Sequence, residues 1–119
     1  MKNRILIILS CGTDNPNRAT RALFFAMMAK KKGRDVIIFL LDEGVYLAKE
    51  GIMKNMRAAT GDSADDHLAY LQEYDVPLLV CTPCAVSRQI QEAELVIGAR
   101  FATGDELIDL TDDSAVLSF

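Results

Sequence analysis

Three stretches of this chain are apolar without interruption: Ile5-Leu6-Ile7-Ile8-Leu9, Val36-Ile37-Ile38-Phe39-Leu40-Leu41 and Val76-Pro77-Leu78-Leu79-Val80. A strand with one wet face alternates apolar and polar residues. A run without alternation, of this length, reads as a strand buried on both faces, and such strands are the mark of a parallel sheet. Parallel neighbours need crossover connections of a dozen or more residues, usually helical. The sequence supplies them. Residues 17–32 carry Leu23, Phe24, Met27 and Met28 at helical spacing, with Gly33 where a C-terminal cap belongs. Residues 45–57 have helical spacing interrupted by Gly51, which predicts two short pieces or an irregular helix. Ser63 with Asp66 resembles a capping box, followed by Leu68, Leu71 and Tyr74 on one face.

The second half repeats the alternation in shorter units. A helix is predicted over 85–93, a short strand over 95–98, a helix from the capping box Thr103…Glu106 to Leu110, and a last strand over 115–119. At 119 residues, half of them hydrophobic, the chain reads as a single domain, 1–119. The expected fold is α/β: a flavodoxin-like three-layer sandwich of five mainly parallel strands in the order 2-1-3-4-5.

Charge and hydropathy limit the function classes. A net charge of −4 argues against nucleic acid, which needs a basic face. The cluster Lys30-Lys31-Lys32 with Arg34 reads as cations placed at a helix C-terminus. The run 5–9 is too short for a signal core, and 22–29 cannot span a bilayer, so no membrane partner and a cytoplasmic location are expected. In a reducing compartment three cysteines do not form a disulfide framework; they point to redox, sulfur-transfer or metal chemistry.

The chemistry-bearing stretch is Cys81-Thr82-Pro83-Cys84, at the end of the third apolar run. A helix N-terminus carries partial positive charge and unpaired N–H groups, both of which favour a thiolate. With Thr82 as cap and Pro83 in the first turn, Cys81 would lie just outside the helix, facing the crevice beyond the strand ends, and Cys84, in the first turn, could resolve a bond formed at Cys81. In the order 2-1-3-4-5 the first and third strands are neighbours, which would bring Cys11 into the same crevice. Arg88, Asp42, Glu43, Asp14 and the lone His67 are read as surface or loop residues. Ser10-Cys11-Gly12-Thr13 lacks the glycine spacing of a phosphate loop, and no cofactor is expected.

Further residues carry a resemblance: the opening strand and its loop, Asp42-Glu43-Gly44-Val45-Tyr46-Leu47-Ala48, Val76 through Cys81, Leu95-Val96-Ile97-Gly98-Ala99 and Asp105-Glu106-Leu107. Together, over nearly the whole length, the chain resembles the DsrE/DsrF-like family, which includes the TusD-type sulfur-relay subunits. The resemblance implies the flavodoxin-like fold, a homo-oligomer, and a cysteine after the third strand that carries persulfide sulfur between donor and acceptor proteins. Cys81 matches that position; Cys84 and Cys11 exceed the family's single-cysteine pattern. Two alternatives stand beside the sulfur carrier. One is a dithiol redox protein using Cys81 and Cys84. The other is a non-enzymatic binding or assembly module holding a soft metal with Cys11, Cys81 and Cys84. Phe24, Phe25, Met27 and Met28 make the first helix apolar on more than one side, in keeping with oligomerisation.

Overall fold

In the computed structural model, which describes residues 3–119, the apolar runs form strands of one sheet. Met1 and Lys2 of the expected 1–119 domain lie outside the described residues. The strands are β1 (Arg4–Leu9), β2 (Asp35–Leu40), β3 (Leu78–Cys81), β4 (Ala99–Ala102) and β5 (Ser114–Ser118), and every pairing between them is parallel. The helices are α1 (Pro16–Lys31), α2 (Ala64–Glu73), α3 (Thr82–Ser87) and α4 (Gly104–Leu110). Their starts follow local chemistry. Asn15 accepts from the Arg18 N–H ahead of Pro16, Ser63 accepts from the Asp66 N–H, and Thr103 with Glu106 closes the expected capping box. Gly33, at a φ of 81°, ends the first helix. Residues 45–57 are irregular as expected: two 3-10 segments, Asp42–Ala48 and Ile52–Asn55, separated by Gly51 at a φ of 90°.

The layered, parallel α/β architecture is the one expected, but the strand order is β4-β3-β2-β1-β5, not 2-1-3-4-5. The difference has a physical reason. The expected order would leave β2 at an edge, and β2 carries the longest apolar run, with Phe39 and Leu40 essentially without exposure. An edge strand needs charges, prolines or brevity to prevent further pairing; β2 has none of these along that run and sits at the centre. The edges fall to two short strands, β4 and β5, the latter bounded by Ser114 and Ser118.

The same order fixes the layers. Steps from β1 to β4 all run one way, so right-handed crossovers place α1, α2 and α3 on one face. There Leu23, Ala26, Leu68, Leu71 and Ala85 pack on Ile7, Leu9, Ile38, Leu40 and Val80. The return from β4 to β5 reverses the step and puts α4 on the other face, where Leu107 and Leu110 lie against a cluster of Leu6, Phe39, Leu79 and Ala102. The fourth strand also lies later than the predicted 95–98. Leu95 and Val96 do turn into the core, but Ile97 is 85% exposed and Gly98 has a φ of 92°, so that apolar run is a turn leading into β4. Among the described residues no helix is long and apolar enough to cross a membrane.

Candidate functional site

The thiol pair forms where β3 becomes α3. Cys81 is the last residue of β3 and occupies the N-cap position at φ −55° and ψ 117°; Thr82, Pro83 and Cys84 are the first three helical residues. The expected cap, Thr82, has another partner: its hydroxyl donates to the Ala102 carbonyl at 2.9 Å and ties the start of α3 to the end of β4. The helix is six residues long, not the predicted 85–93, because Gln89 leaves the helical region at a φ of 59° and Ile90 turns inward to the core. So short a helix has little macrodipole to offer a thiolate. Cys81 and Cys84 are both partly exposed, and neither is in a disulfide.

The electrostatics of Cys81 run against the expectation of a low thiol pKa. Burial pushes the Cys81 thiol up, and the neighbouring Cys84 thiol pushes it further. The approach of the Cys84 backbone N–H pulls the other way, without amounting to a cap hydrogen bond, and the Asp42 charge adds a smaller upward push. Cys81 rests as a thiol, under the influence of the Cys84 thiol.

The segment after β2 supplies the far wall. Asp42, directly beyond β2, is held in the left-handed region at a φ of 50°, and its Oδ1 accepts from the Cys84 Sγ–H at 4.0 Å, the outer limit for sulfur. The next residue, Glu43, takes two hydrogen bonds from Arg88, from Nη2 at 2.6 Å and Nε at 3.4 Å. Arg88 Nη1 also donates to the Cys84 carbonyl at 3.1 Å. Arg88 is therefore a strut between α3 and the Asp42–Ala48 segment, where the sequence read a surface arginine. Glycines let the loops close up. A Cβ at Gly44 would collide with the Leu9 carbonyl, and one at Gly12 would lie 2.6 Å from the Glu43 carbonyl oxygen.

Cys11 takes a different position from that expected. It is 8% exposed and packs in the core on the helix-rich face. With β2 between β1 and β3, the ends of those two strands are separated by roughly 10 Å, beyond the ~7 Å Cα separation a disulfide spans. Burial and the Asp14 charge raise the Cys11 pKa, with Arg18 opposing them. Among the described residues no group of three or more His, Cys, Asp or Glu side chains could hold a metal ion. The soft-metal site of Cys11, Cys81 and Cys84 is thus not assembled, because the strand order keeps Cys11 from the pair.

His67 also departs from the sequence reading. It is 6% exposed, with its ring Nε2 2.7 Å from Asp62 Oδ2 and its ring 5.7 Å from that of Phe24. The signal was present: Ala64, His67, Leu68 and Leu71 stand at i, i+3, i+4 and i+7, the spacing of a buried stripe. A surface concavity of about 660 Å³ lies nearby, lined by Arg21, Phe24, Phe25, Thr60, Gly61 and Asp62, with no thiol in its wall.

The model of the DsrE/DsrF-like family matches residues 3–119. The chain belongs to the DsrE/DsrF-like family. It is 32% identical over 111 residues to the uncharacterized protein MJ0989 of Methanocaldococcus jannaschii, covering 93% of this chain and 94% of that one. It is 29% identical over 113 residues to the uncharacterized protein MK0008 of Methanopyrus kandleri, covering 92% and 88%. Solved structures share the DsrE-like fold: the ychN protein from E. coli superposes with a TM-score of 0.80 at 21% identity over the whole of both chains. The protein of unknown function MTH1491 from Methanobacterium thermoautotrophicum gives 0.66 at 11% identity, covering 98% and 97%.

Proposed function

We propose that this DsrE/DsrF-like protein is a sulfur carrier. Cys81 accepts a sulfane sulfur from a persulfide donor and holds it as Cys81–S–SH for an acceptor protein. The observation that carries the reading is Cys81 itself: partly exposed at the carboxyl end of β3, with a second thiol beside it, in a chain of this family. In that step Cys81 is the nucleophile: its ionised form attacks the outer sulfur of the donor persulfide, the donor's S–S bond breaks, and the donor leaves as a thiolate. The protein would act in the cytoplasm as a homo-oligomer. Phe25 and Met28, about two-fifths exposed on α1 at 39% and 37%, are the residues on that helix we assign to contact with another copy. Cys11, sealed in the core, would support packing without handling sulfur.

The test is mass spectrometry of the Cys84→Ser protein after incubation with a small-molecule persulfide. The reading expects a gain of about 32 Da, mapped to the peptide containing Cys81 and absent when Cys81→Ser is added. No gain in Cys84→Ser would end it. The spacing of the two thiols, at the N-cap and third residue of α3, favours one second reading, dithiol–disulfide exchange. That reading requires the wild type to close a Cys81–Cys84 disulfide under mild oxidation without any sulfur donor.

A further inference from the structure

We propose that Cys84 discharges a persulfide held on Cys81, releasing hydrosulfide and closing a Cys81–Cys84 disulfide, with the Asp42 carboxylate receiving the Cys84 proton. This rests on the carrier reading and gives it a fate for the sulfur that needs no acceptor protein. Three placements carry it. First, N-cap and third helical residue are a spacing that puts side-chain origins roughly 5–6 Å apart. Closing a disulfide brings the Cβ atoms to about 3.8 Å, a small adjustment in the first turn of a six-residue helix. Second, the Cys84 thiol is near enough to raise the pKa of Cys81, whose sulfur is the inner sulfur of the persulfide and the atom to be attacked. Third, Asp42 Oδ1 accepts from the Cys84 Sγ–H at 4.0 Å.

The step balances without an outside oxidant or reductant. The Cys84 sulfur attacks Cys81 Sγ and the S–S bond of the persulfide breaks. The outer sulfur leaves with the bonding pair as HS⁻, and the Cys84 proton passes to Asp42 and from there to the departing sulfide or to water. The sulfane sulfur is reduced by two electrons, and the two cysteines supply them as they become a disulfide. One chain therefore discharges one sulfur; a second turnover requires an external dithiol to reopen the disulfide. Arg88 keeps the geometry by holding the Cys84 carbonyl and Glu43, the neighbour of Asp42, at the same time.

The experiment loads wild type and Cys84→Ser with a small-molecule persulfide, removes the donor, and follows intact mass and released sulfide with no dithiol present. The expected result is one sulfide per chain and a disulfide mass for the wild type, against a lasting +32 Da adduct, about one sulfur, on Cys84→Ser. A wild type that keeps its adduct as long as Cys84→Ser overturns the discharge and leaves the carrier reading standing. Failure of both proteins to take up sulfur overturns the carrier reading and the discharge together. Asp42→Asn tests the proton acceptor in a residue that tolerates the left-handed conformation. Its discharge at neutral pH should fall about tenfold, less than the full effect of a general base because a thiol ionises in part unaided. The rate should recover as the pH is raised. An unchanged rate and pH profile in Asp42→Asn overturns the role given to Asp42.

Discussion

The guanidinium of Arg88 holds the Glu43 carboxylate through two hydrogen bonds, Nη2 to Oε1 at 2.6 Å and Nε to Oε2 at 3.4 Å. The two residues are far apart in sequence, one closing α3 and the other following β2. Their pairing fixes the distance between the elements that carry Cys84 and Asp42. Hydrogen bonding to Glu43 raises the Arg88 pKa further, and the nearby Cys84 adds to that effect, which places the cation within electrostatic reach of the thiol.

Removal of that cation should slow Cys84. In Arg88→Ala the link between the Cys84 carbonyl and the Glu43 carboxylate is lost, and α3 is no longer held against the Asp42–Ala48 segment. Alkylation of Cys84 by iodoacetamide at neutral pH, followed by peptide mass mapping, should fall severalfold. Arg88→Lys should recover only part of the rate, since an ammonium keeps the charge but cannot make the two-pronged contact. Equal rates in Arg88→Ala and wild type would mean that the ion pair acts on packing alone.

Cys81 should become easier to ionise when its neighbour is removed. The Cys84 thiol raises the Cys81 pKa through a hydrogen bond and through charge, while burial, the largest cause, stays. The pH midpoint for alkylation of Cys81 should therefore move down in Cys84→Ala without reaching that of a free cysteine. A midpoint that stays or rises would show that the two thiols are not coupled.

The raised pKa values of Cys11 and Cys81 also set an alkaline limit on stability. In the unfolded chain both thiols ionise at their ordinary value; in the folded protein they ionise only at higher pH. The native state is thus favoured in full below the ordinary thiol pKa, and that contribution is lost as pH rises through the elevated one. Thermal midpoints should decline across the alkaline range. Replacing Cys11 by Ala should flatten the decline while lowering the midpoint at neutral pH, because a buried side chain has been cut back. A decline of unchanged steepness in Cys11→Ala would assign the loss to other groups.

The apolar runs and capping residues were enough to read the layered parallel sheet, because a chain of alternating buried strands and capped helices has few other ways to cover both faces. Strand order was not legible in the same way. It depends on which strand can tolerate an edge, a comparison between Phe39 and Leu40 of β2 and the serine-bounded β5 that no single stretch reveals. The assumed order carries into the site: Cys81 and Cys84 stand three residues apart and need no strand order to be read as a pair, whereas Cys11 joins them only if β1 and β3 are neighbours. Asp42, Glu43 and Arg88 were visible as residues but not as a group, since their association depends on the turn of the Asp42–Ala48 segment across the end of the sheet. His67 could have been found from its place in the stripe of Ala64, Leu68 and Leu71.

That turn depends on Gly44. Its φ is not in the left-handed region, so the requirement is for space and not for conformational freedom. A Cβ there would collide with the Leu9 carbonyl oxygen and would also lie 3.1 Å from the Leu9 carbonyl carbon and 3.4 Å from the Cys11 oxygen, all of them backbone atoms that cannot swing aside. Gly44→Ala should cost about 2–4 kcal/mol, toward the upper end for overpacking. It should also push the Asp42–Ala48 segment off β1, parting Asp42 from Cys84 and lengthening the life of any persulfide on Cys81. Gly104, at the start of α4 with nothing within 4 Å of its missing Cβ, is the control. Gly104→Ala should be neutral or stabilise by up to about 1 kcal/mol, through helix propensity and a less flexible unfolded chain. Urea titration of the three proteins checks both expectations; a Gly44→Ala protein as stable as the wild type would show that the Asp42–Ala48 segment can lift from β1 without cost.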